Sequence, residues 1–349
     1  MENQMTGTDE SRVVDLPSMP TSTKRDIPII FDHKVDLNYE SKSRLDSFRL
    51  WLMGLLVFIV KWKKKWIPES WPWFWKDKDK DGKRVLRCNS VLFDGLSRPC
   101  RNIRAGAASW WALDIIYNFD FRWFGALRLF SYFWITMRNA RAVRNRKKMI
   151  VQHLVNAMQE TFRQFGEVKI LTLACGSAEA IFEACHIIVK DYPSIGQRLS
   201  VFFTDIDPKA LRHVNIRIDE EKLGFICKAK KANILNFQHL VDYLIKIASF
   251  EPTMVEMVGL MDYLDDERAI SLCHSIRDFL PVGGFFITAN AISNDEVSFM
   301  STVIEWDMIY REPEELASII EAAGFNSKTS SCQIVVEPEK IHAVALCTV

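Results

Sequence analysis

From Val168 onward, short apolar runs alternate with amphipathic stretches. "VKILTLA", "LSVFFTDI", "MVEMVGLMDYL" and "GGFFITANA" are separated by "AEAIFEACHIIVKDY", "DPKALRHVNIRIDEE" and "DERAISLCHSIRDFL". "EPEELASIIEAAG", "SSCQIVVEP" and "IHAVALCTV" complete the series. Continuous apolar runs of strand length suit a parallel sheet covered on both faces, and the stretches between them carry apolar residues at helical spacing. The alternation predicts βαβ units around a mostly parallel sheet, closed by two late strands. Ligands of such sheets bind where strands end and helices begin.

The first half has a different texture. Of 11 Trp in 349 residues, only Trp306 lies beyond residue 150. That asymmetry implies two regions with different roles. Residues 1–44 read as a disordered or poorly ordered tail; the first 27 are polar and carry no secretory signal. Residues 45–166 read as a helical, Trp-rich region, a lid or substrate-binding element, and 167–349 as the α/β domain. The uncharged run Leu50–Val60 covers 11 residues, against the roughly 20 that span a bilayer. Lys61, Lys63, Lys64 and Lys65 follow, interleaved with Trp62 and Trp66. Two readings stand. One is a buried helix followed by a solvated basic turn. The other is an in-plane helix on a membrane surface, with 48–75 as the contact.

"KDKDKDGKR" mixes both signs and reads as a solvated loop. Its Asp77, Asp79, Asp81 and Gly82 open like a calcium loop, but Cys88 stands where the closing acid is required, which excludes calcium. Eight cysteines show no paired spacing for zinc, so no metal site is expected and they read as reduced thiols. The expected location is cytoplasmic, or peripheral on the inner membrane face.

"ILTLACGSAEA", residues 170–180, reads as strand, small-residue turn and helix, in which only Gly176 takes positive φ freely. Asp205 ends the next strand, 29 residues later, where an acid can accept both hydroxyls of a ribose. Asn233, in "AKKANIL", falls at the third strand's tip, where a short polar side chain meets an adenine edge. Asp262 and Tyr263 leave the fourth strand. A dinucleotide loop needs three glycines and a P-loop needs Gly-Lys-Ser/Thr; neither is present.

In this order of motifs, residues 168–349 resemble the class I S-adenosylmethionine-dependent methyltransferases. The resemblance implies an α/β fold: a Rossmann-like, seven-stranded, mostly parallel sheet with helices on both faces, here preceded by an all-α N-terminal region. It implies S-adenosyl-L-methionine as cofactor. Its expected contacts are Ala174, Cys175, Gly176, Ser177 and Glu179 in the first loop, then Asp205 with Ile206, and Asn233 with Ile234. The loop departs from the family's Asp/Glu-x-Gly-x-Gly-x-Gly at three places. Ala174 and Ala178 replace the outer glycines, which is tolerated where φ stays negative. Thr172 replaces the acid that helps orient the methionine end, and Glu179 is a candidate substitute. "RNARAVRNRKKMIVQHL" and "EWDMIYREPEELASIIEAAGF" are similar to segments of a bacterial-type methyltransferase group with a helical N-terminal extension.

On the acceptor side the candidates are Asp262, Tyr263, Tyr310 and Arg311, with Trp306 and Asn290 nearby in sequence. In "RNARAVRNR", Arg141 and Arg144 share a helical face beside Asn145. Either that face is solvated, or it lies over the cofactor, with Arg144 and Asn145 holding a carboxylate. The function implied is methyl transfer to a small or lipid-like apolar acceptor, governed by positioning and desolvation. Two alternatives are a degenerate Rossmann-like binding or scaffold module, motivated by the loop departures, and RNA methylation, supported only by the basic run 138–148. A net charge of +1 gives no general attraction to nucleic acid, so no nucleic-acid partner is expected.

Overall fold

The computed structural model describes residues 27–32, 37–66, 76–78, 84–86, 88–119, 128–221, 225–325 and 330–349. The N-terminal part comprises β1 (Ile29–Phe31), α1 (Asp46–Trp66), β2 (Lys76–Lys78), β3 (Arg84–Leu86), α2 (Arg98–Ala105), α3 (Trp110–Tyr117), α4 (Arg128–Ile135) and α5 (Arg138–Phe165). Then follow β4 (Val168–Leu173), α6 (Glu179–Asp191), α7 (Pro193–Gly196), β5 (Leu199–Asp205), α8 (Pro208–Glu221), β6 (Ile226–Lys231), α9 (Phe237–Tyr243) and β7 (Met254–Val258). The chain closes with α10 (Asp266–Phe279), β8 (Phe285–Ala291), α11 (Val297–Phe299), α12 (Pro313–Ala322), β9 (Ser331–Val336) and β10 (His342–Thr348).

Eight strands form one sheet in the order β1-β9-β10-β8-β7-β4-β5-β6. Only β10 runs against its neighbours. The chain builds outward from β4 to β6, then returns to β7 on the other side of β4. The crevice at the carboxyl ends of β4 and β7 is therefore the topological switch point, where ligands of such sheets bind.

The sheet has one strand more than expected. β1 adds to the edge beside β9, with Ile334 N–H donating to the Pro28 carbonyl and Asp32 N–H to the Val336 carbonyl, both at 2.9 Å. Ile27 is buried in the core beneath it. The tail expected through residue 44 thus supplies an ordered strand; residues 1–26 lie outside the described residues. The segment expected as a solvated loop contains an antiparallel pair, β2 with β3. Cys332 and Cys347, opposite each other on β9 and β10, are joined as a disulfide, which corrects the reading of all eight cysteines as reduced thiols.

Helices α9, α10 and α12 cover one face of the sheet, and α5, α6 and α8 the other. Gly166, left-handed at φ 72°, stops α5 and turns the chain into β4. A third core joins α1–α4 to the segment between β8 and α12. There Trp134 stacks on Phe299, with centroids 5.2 Å apart. Helices α1–α4 and this late segment together form a cap.

In α1 one face packs inward and the other is exposed. Arg49, Met53, Leu56 and Val60 are buried, whereas Trp51 is 63% exposed and Phe58 68% exposed on the opposite side. No helix among the described residues is long and apolar enough to cross a membrane.

Candidate active site

β4 delivers residues 174–178 to the switch point. The backbone there is left-handed at Ala174 (φ 51°), Gly176 (φ 54°) and Ala178 (φ 53°). These are the three positions at which the resemblance called for glycine. Alanine does not escape by keeping φ negative, as expected; it adopts the glycine conformation, at roughly 1–2 kcal/mol per residue. Hydrogen bonds hold the loop in place. Cys175 N–H donates to the Thr204 carbonyl and Ala178 N–H to the Cys175 carbonyl. Gly176 N–H donates to Asp205 Oδ2 at 2.9 Å.

Asp205 Oδ1 accepts from Asp207 N–H at 2.8 Å. Burial pushes this carboxyl above its ordinary range, against the backbone amides of Asp207, Gly176 and Ile206 that hold it down. A carboxylate has about four acceptor sites, so Asp205 keeps capacity for hydroxyl donors. Ile206, beside it, is 60% exposed and offers an apolar shelf. Asn233 lies just past β6, the neighbouring strand, and its Oδ1 accepts from Leu235 N–H at 3.1 Å. Ile234 is buried in the core. Asp205, Ile206 and Asn233 thus converge on adjoining strand tips. Cys175 and Ser177 are buried within the loop.

The cap meets this loop directly. A Cβ on Gly176 would stand 3.1 Å from Trp110 Cβ, so the start of α3 rests on the glycine. Trp110 Nε1 donates to Asp207 Oδ2 at 3.0 Å, and its ring packs against His213. Glu179 turns to Arg217 rather than to the crevice, accepting from Nη1 at 2.6 Å. Asp114 and His213 bring ligand-type atoms within 4.8 Å of Glu179, a corner already neutralised by that guanidinium.

The arginine run of α5 divides sharply. Arg141 pairs with Asp46 and Glu339, and Arg138 with Asp295 and Glu339. Arg144 grips Glu40 through Nε and Nη2, and Asn145 exchanges hydrogen bonds with the Glu40 backbone. Arg144 and Asn145, expected at the cofactor, thus tie down the N-terminal segment. Arg146 differs. It is 2% exposed, and no carboxylate among the described residues lies within ion-pair distance. Its Nη2 reaches only the Tyr117 hydroxyl at 3.4 Å, and its Nε has no partner.

Arg146 lines a cavity of about 60 Å³ between the cap and the strand tips. Phe93, Ile103, Trp134, Met300 and Trp306 form apolar walls, and Asn139, Asp262, Tyr263 and His342 supply the other polar groups. His342 is buried with both ring nitrogens unpartnered, and burial with the nearby Arg146 charge holds it neutral. Asp262 Oδ1 accepts from Ala291 N–H at 2.7 Å, and its carboxyl is pushed up by burial. Trp306 Nε1 donates to the Tyr263 hydroxyl at 2.7 Å. The Tyr310 hydroxyl is buried without a partner and pushed up to about 12 by burial and by Asp262.

Of the acceptor-side candidates, Tyr310, Asn290 and Arg311 do not line the cavity. Arg311 is held away from it. Its nitrogens are spent on Asp266, Asn290 Oδ1 and the carbonyls of Met261 and Leu264. It brackets the tips of β7 and β8 and does not face the cavity. The structure therefore brings Asp262, Tyr263 and Trp306 together at the cavity and leaves Arg311 behind them.

A family model described as "Putative methyltransferase" (Methyltransf_20) matches residues 76–347. The chain belongs to this methyltransferase family. No curated protein matches its sequence. Among solved structures, it resembles one described as a possible exported protein from Bordetella parapertussis. The TM-score is 0.59 at 14% identity, covering 88% of this chain and 99% of that one. Weaker likenesses are the S-adenosylmethionine-dependent methyltransferase SibL in its apo form (TM-score 0.41, 14% identity, 86% of this chain and 76% of that one) and PigF with SAH (TM-score 0.38, 13% identity, 74% and 70%). This methyltransferase has a Rossmann-like sheet.

Two further buried charged residues of this region, Arg146 and Glu256, gain their meaning only from the fold. Arg146 sits in the run that was singled out, but only contacts separate it from Arg144. Glu256 interrupts the apolar strand "MVEMV", and an acid inside a central parallel strand is itself a signal.

Proposed function

We propose that this methyltransferase transfers a methyl group to a small, largely apolar acceptor held in the cavity between cap and strand tips. The observation that carries the reading is the cavity itself: aromatic and aliphatic walls from the cap, closed at the tip of β7 by Gly259, Asp262 and Tyr263. The cofactor supplies a methyl group already activated on a sulfonium, so the transfer is an in-line displacement. The protein's share is to bind, orient and exclude water. Asp205 holds the loop and would offer acceptors to the ribose, Ile206 would pack on the base, and Asn233 would bond its edge. Trp110 seals the loop. Asp262, anchored to β8, can take a proton from an acceptor that must lose one.

A second element of the reading concerns location. Trp51, Phe58, Trp62 and Trp66 are exposed on one side of α1, and Lys61 and Lys65 are exposed among them. Lys63 donates to the Asn89 carbonyl, and Lys64 pairs with Glu305 at the surface. An apolar stripe with Trp and Lys is the composition of a helix lying on an anionic membrane surface, from which a lipid-like acceptor would enter.

Titration with S-adenosylhomocysteine tests the cofactor half: micromolar binding to the wild type, lost in Asp205→Ala. Radiolabelled methyl transfer to a panel of small molecules graded in apolar length tests the acceptor half. Labelling confined to RNA would overturn it.

A further inference from the structure

The loop lacks its acid, since Thr172 stands in that place, yet an acid lies directly alongside. In the parallel pairing of β4 with β7, Thr172 is in register with Glu256. Neighbours of both on the same face, Ile170, Met254 and Ile287, pack beneath α5 and α6. Glu256 is 7% exposed, and among the described residues no cation pairs with it. Its Oε1 accepts only from Val258 N–H at 3.0 Å, which turns the carboxylate toward the carboxyl end of β7. The Thr172 hydroxyl beside it is buried with no partner. On α5, over the same face, Arg146 is also buried and makes no contact ion pair among the described residues, with the Asp262 carboxyl the acid that shares its cavity. A buried acid and a buried guanidinium, neither in a contact ion pair among the described residues although Arg146 lies within Coulombic reach of Glu256 and Asp262, are costly to keep charged unless something else satisfies them. A ligand group carrying both signs would satisfy the two at once.

We propose that Glu256, set on β7 opposite Thr172, replaces the acid missing from the β4 loop and, with Arg146, holds the ammonium and carboxylate of the cofactor's amino-acid end. The inference rests on the cofactor reading above. It makes Glu256 a binding residue on a strand other than the one the family pattern designates. It also explains how the loop dispenses with an acid.

Calorimetry with two ligands tests it: S-adenosylhomocysteine, which has the amino-acid end, and methylthioadenosine, which lacks it. Glu256→Gln should weaken S-adenosylhomocysteine by about 10- to 100-fold, the range for a hydrogen bond to a charged group, and leave methylthioadenosine unchanged. Arg146→Met should give the same split, and serves alone if the glutamine variant does not fold. Adding Thr172→Asp to Glu256→Gln should restore part of the lost affinity. Equal weakening of both ligands, or none, would overturn the proposal. If the wild type binds neither ligand, the cofactor reading itself falls.

Discussion

Gly176 N–H and Asp205 Oδ2 meet at 2.9 Å, joining the loop after β4 to the tip of β5. One carboxylate thus shapes the loop and, in the proposed site, would accept from the ribose. Asp205→Ala should lose S-adenosylhomocysteine binding by at least about 100-fold, since charge-assisted bonds contribute roughly 1.5–3 kcal/mol each. Thermal unfolding should still be cooperative, at a lower midpoint. Binding as tight as that of the wild type would remove Asp205 from the site.

The left-handed alanines give a test with a sign. Ala174→Gly should stabilise the protein by about 1 kcal/mol, because glycine carries no Cβ penalty at φ 51°. Ala178→Gly gains the same relief but forfeits a methyl that is 7% exposed. A buried carbon of that size contributes about 0.8 kcal/mol, so this change should be near neutral. Urea unfolding of the two variants would distinguish them; destabilisation by Ala174→Gly would contradict the strain argument.

Strand and helix were legible in residues 168–349 because each buried strand reads as an apolar run. The turn at Gly176 and the place of Asp205 at a strand tip were legible because positive φ favours glycine and the apolar run stops at the acid. β1 was not, since Ile29–Phe31 is three residues long and its partner β9 lies some 300 residues away. The arginines were half legible. Their spacing gives a shared face, but whether Glu40 or a ligand meets that face depends on where residues 37–45 pack. Glu256 was overlooked because its meaning depends on register with Thr172, which no local pattern carries.

Arg144 and Arg146 should separate stability from binding. Arg144→Met breaks a bidentate pair with Glu40, and should cost about 1–3 kcal/mol in unfolding while leaving affinity for S-adenosylhomocysteine intact. Arg146→Met should do the reverse. Loss of affinity in Arg144→Met alone would return that residue to the cofactor.

Burial pushes the Glu256 carboxyl up to about 8, with the Arg146 charge opposing. A folded-state value above the ordinary 4.5 means that the ligand-free protein retains a proton the unfolded chain gives up. Stability from this group is therefore full below the ordinary value and is lost as pH rises through the raised one. Glu256→Gln, always neutral, should gain stability over the wild type progressively across that window. Binding an ammonium favours the carboxylate, so at pH 7 it should release a proton from wild type and none from this variant. Cys175 and His342 are both held neutral by burial, so neither should contribute near pH 7. Calorimetry in two buffers of different ionisation enthalpy reads the difference.

The exposed side of α1 makes the last prediction. Trp51, Phe58 and Trp62 are 63%, 68% and 56% exposed, so replacing all three by Ser removes little packing. The melting temperature should stay within a few degrees. Sedimentation with anionic vesicles should carry down the wild type, less so as salt rises, because Lys61 and Lys65 share the attraction. The triple variant should stay in the supernatant at every salt concentration. If the wild type also stays there, the stripe is not a membrane contact, and an acceptor would have to reach the cavity through water.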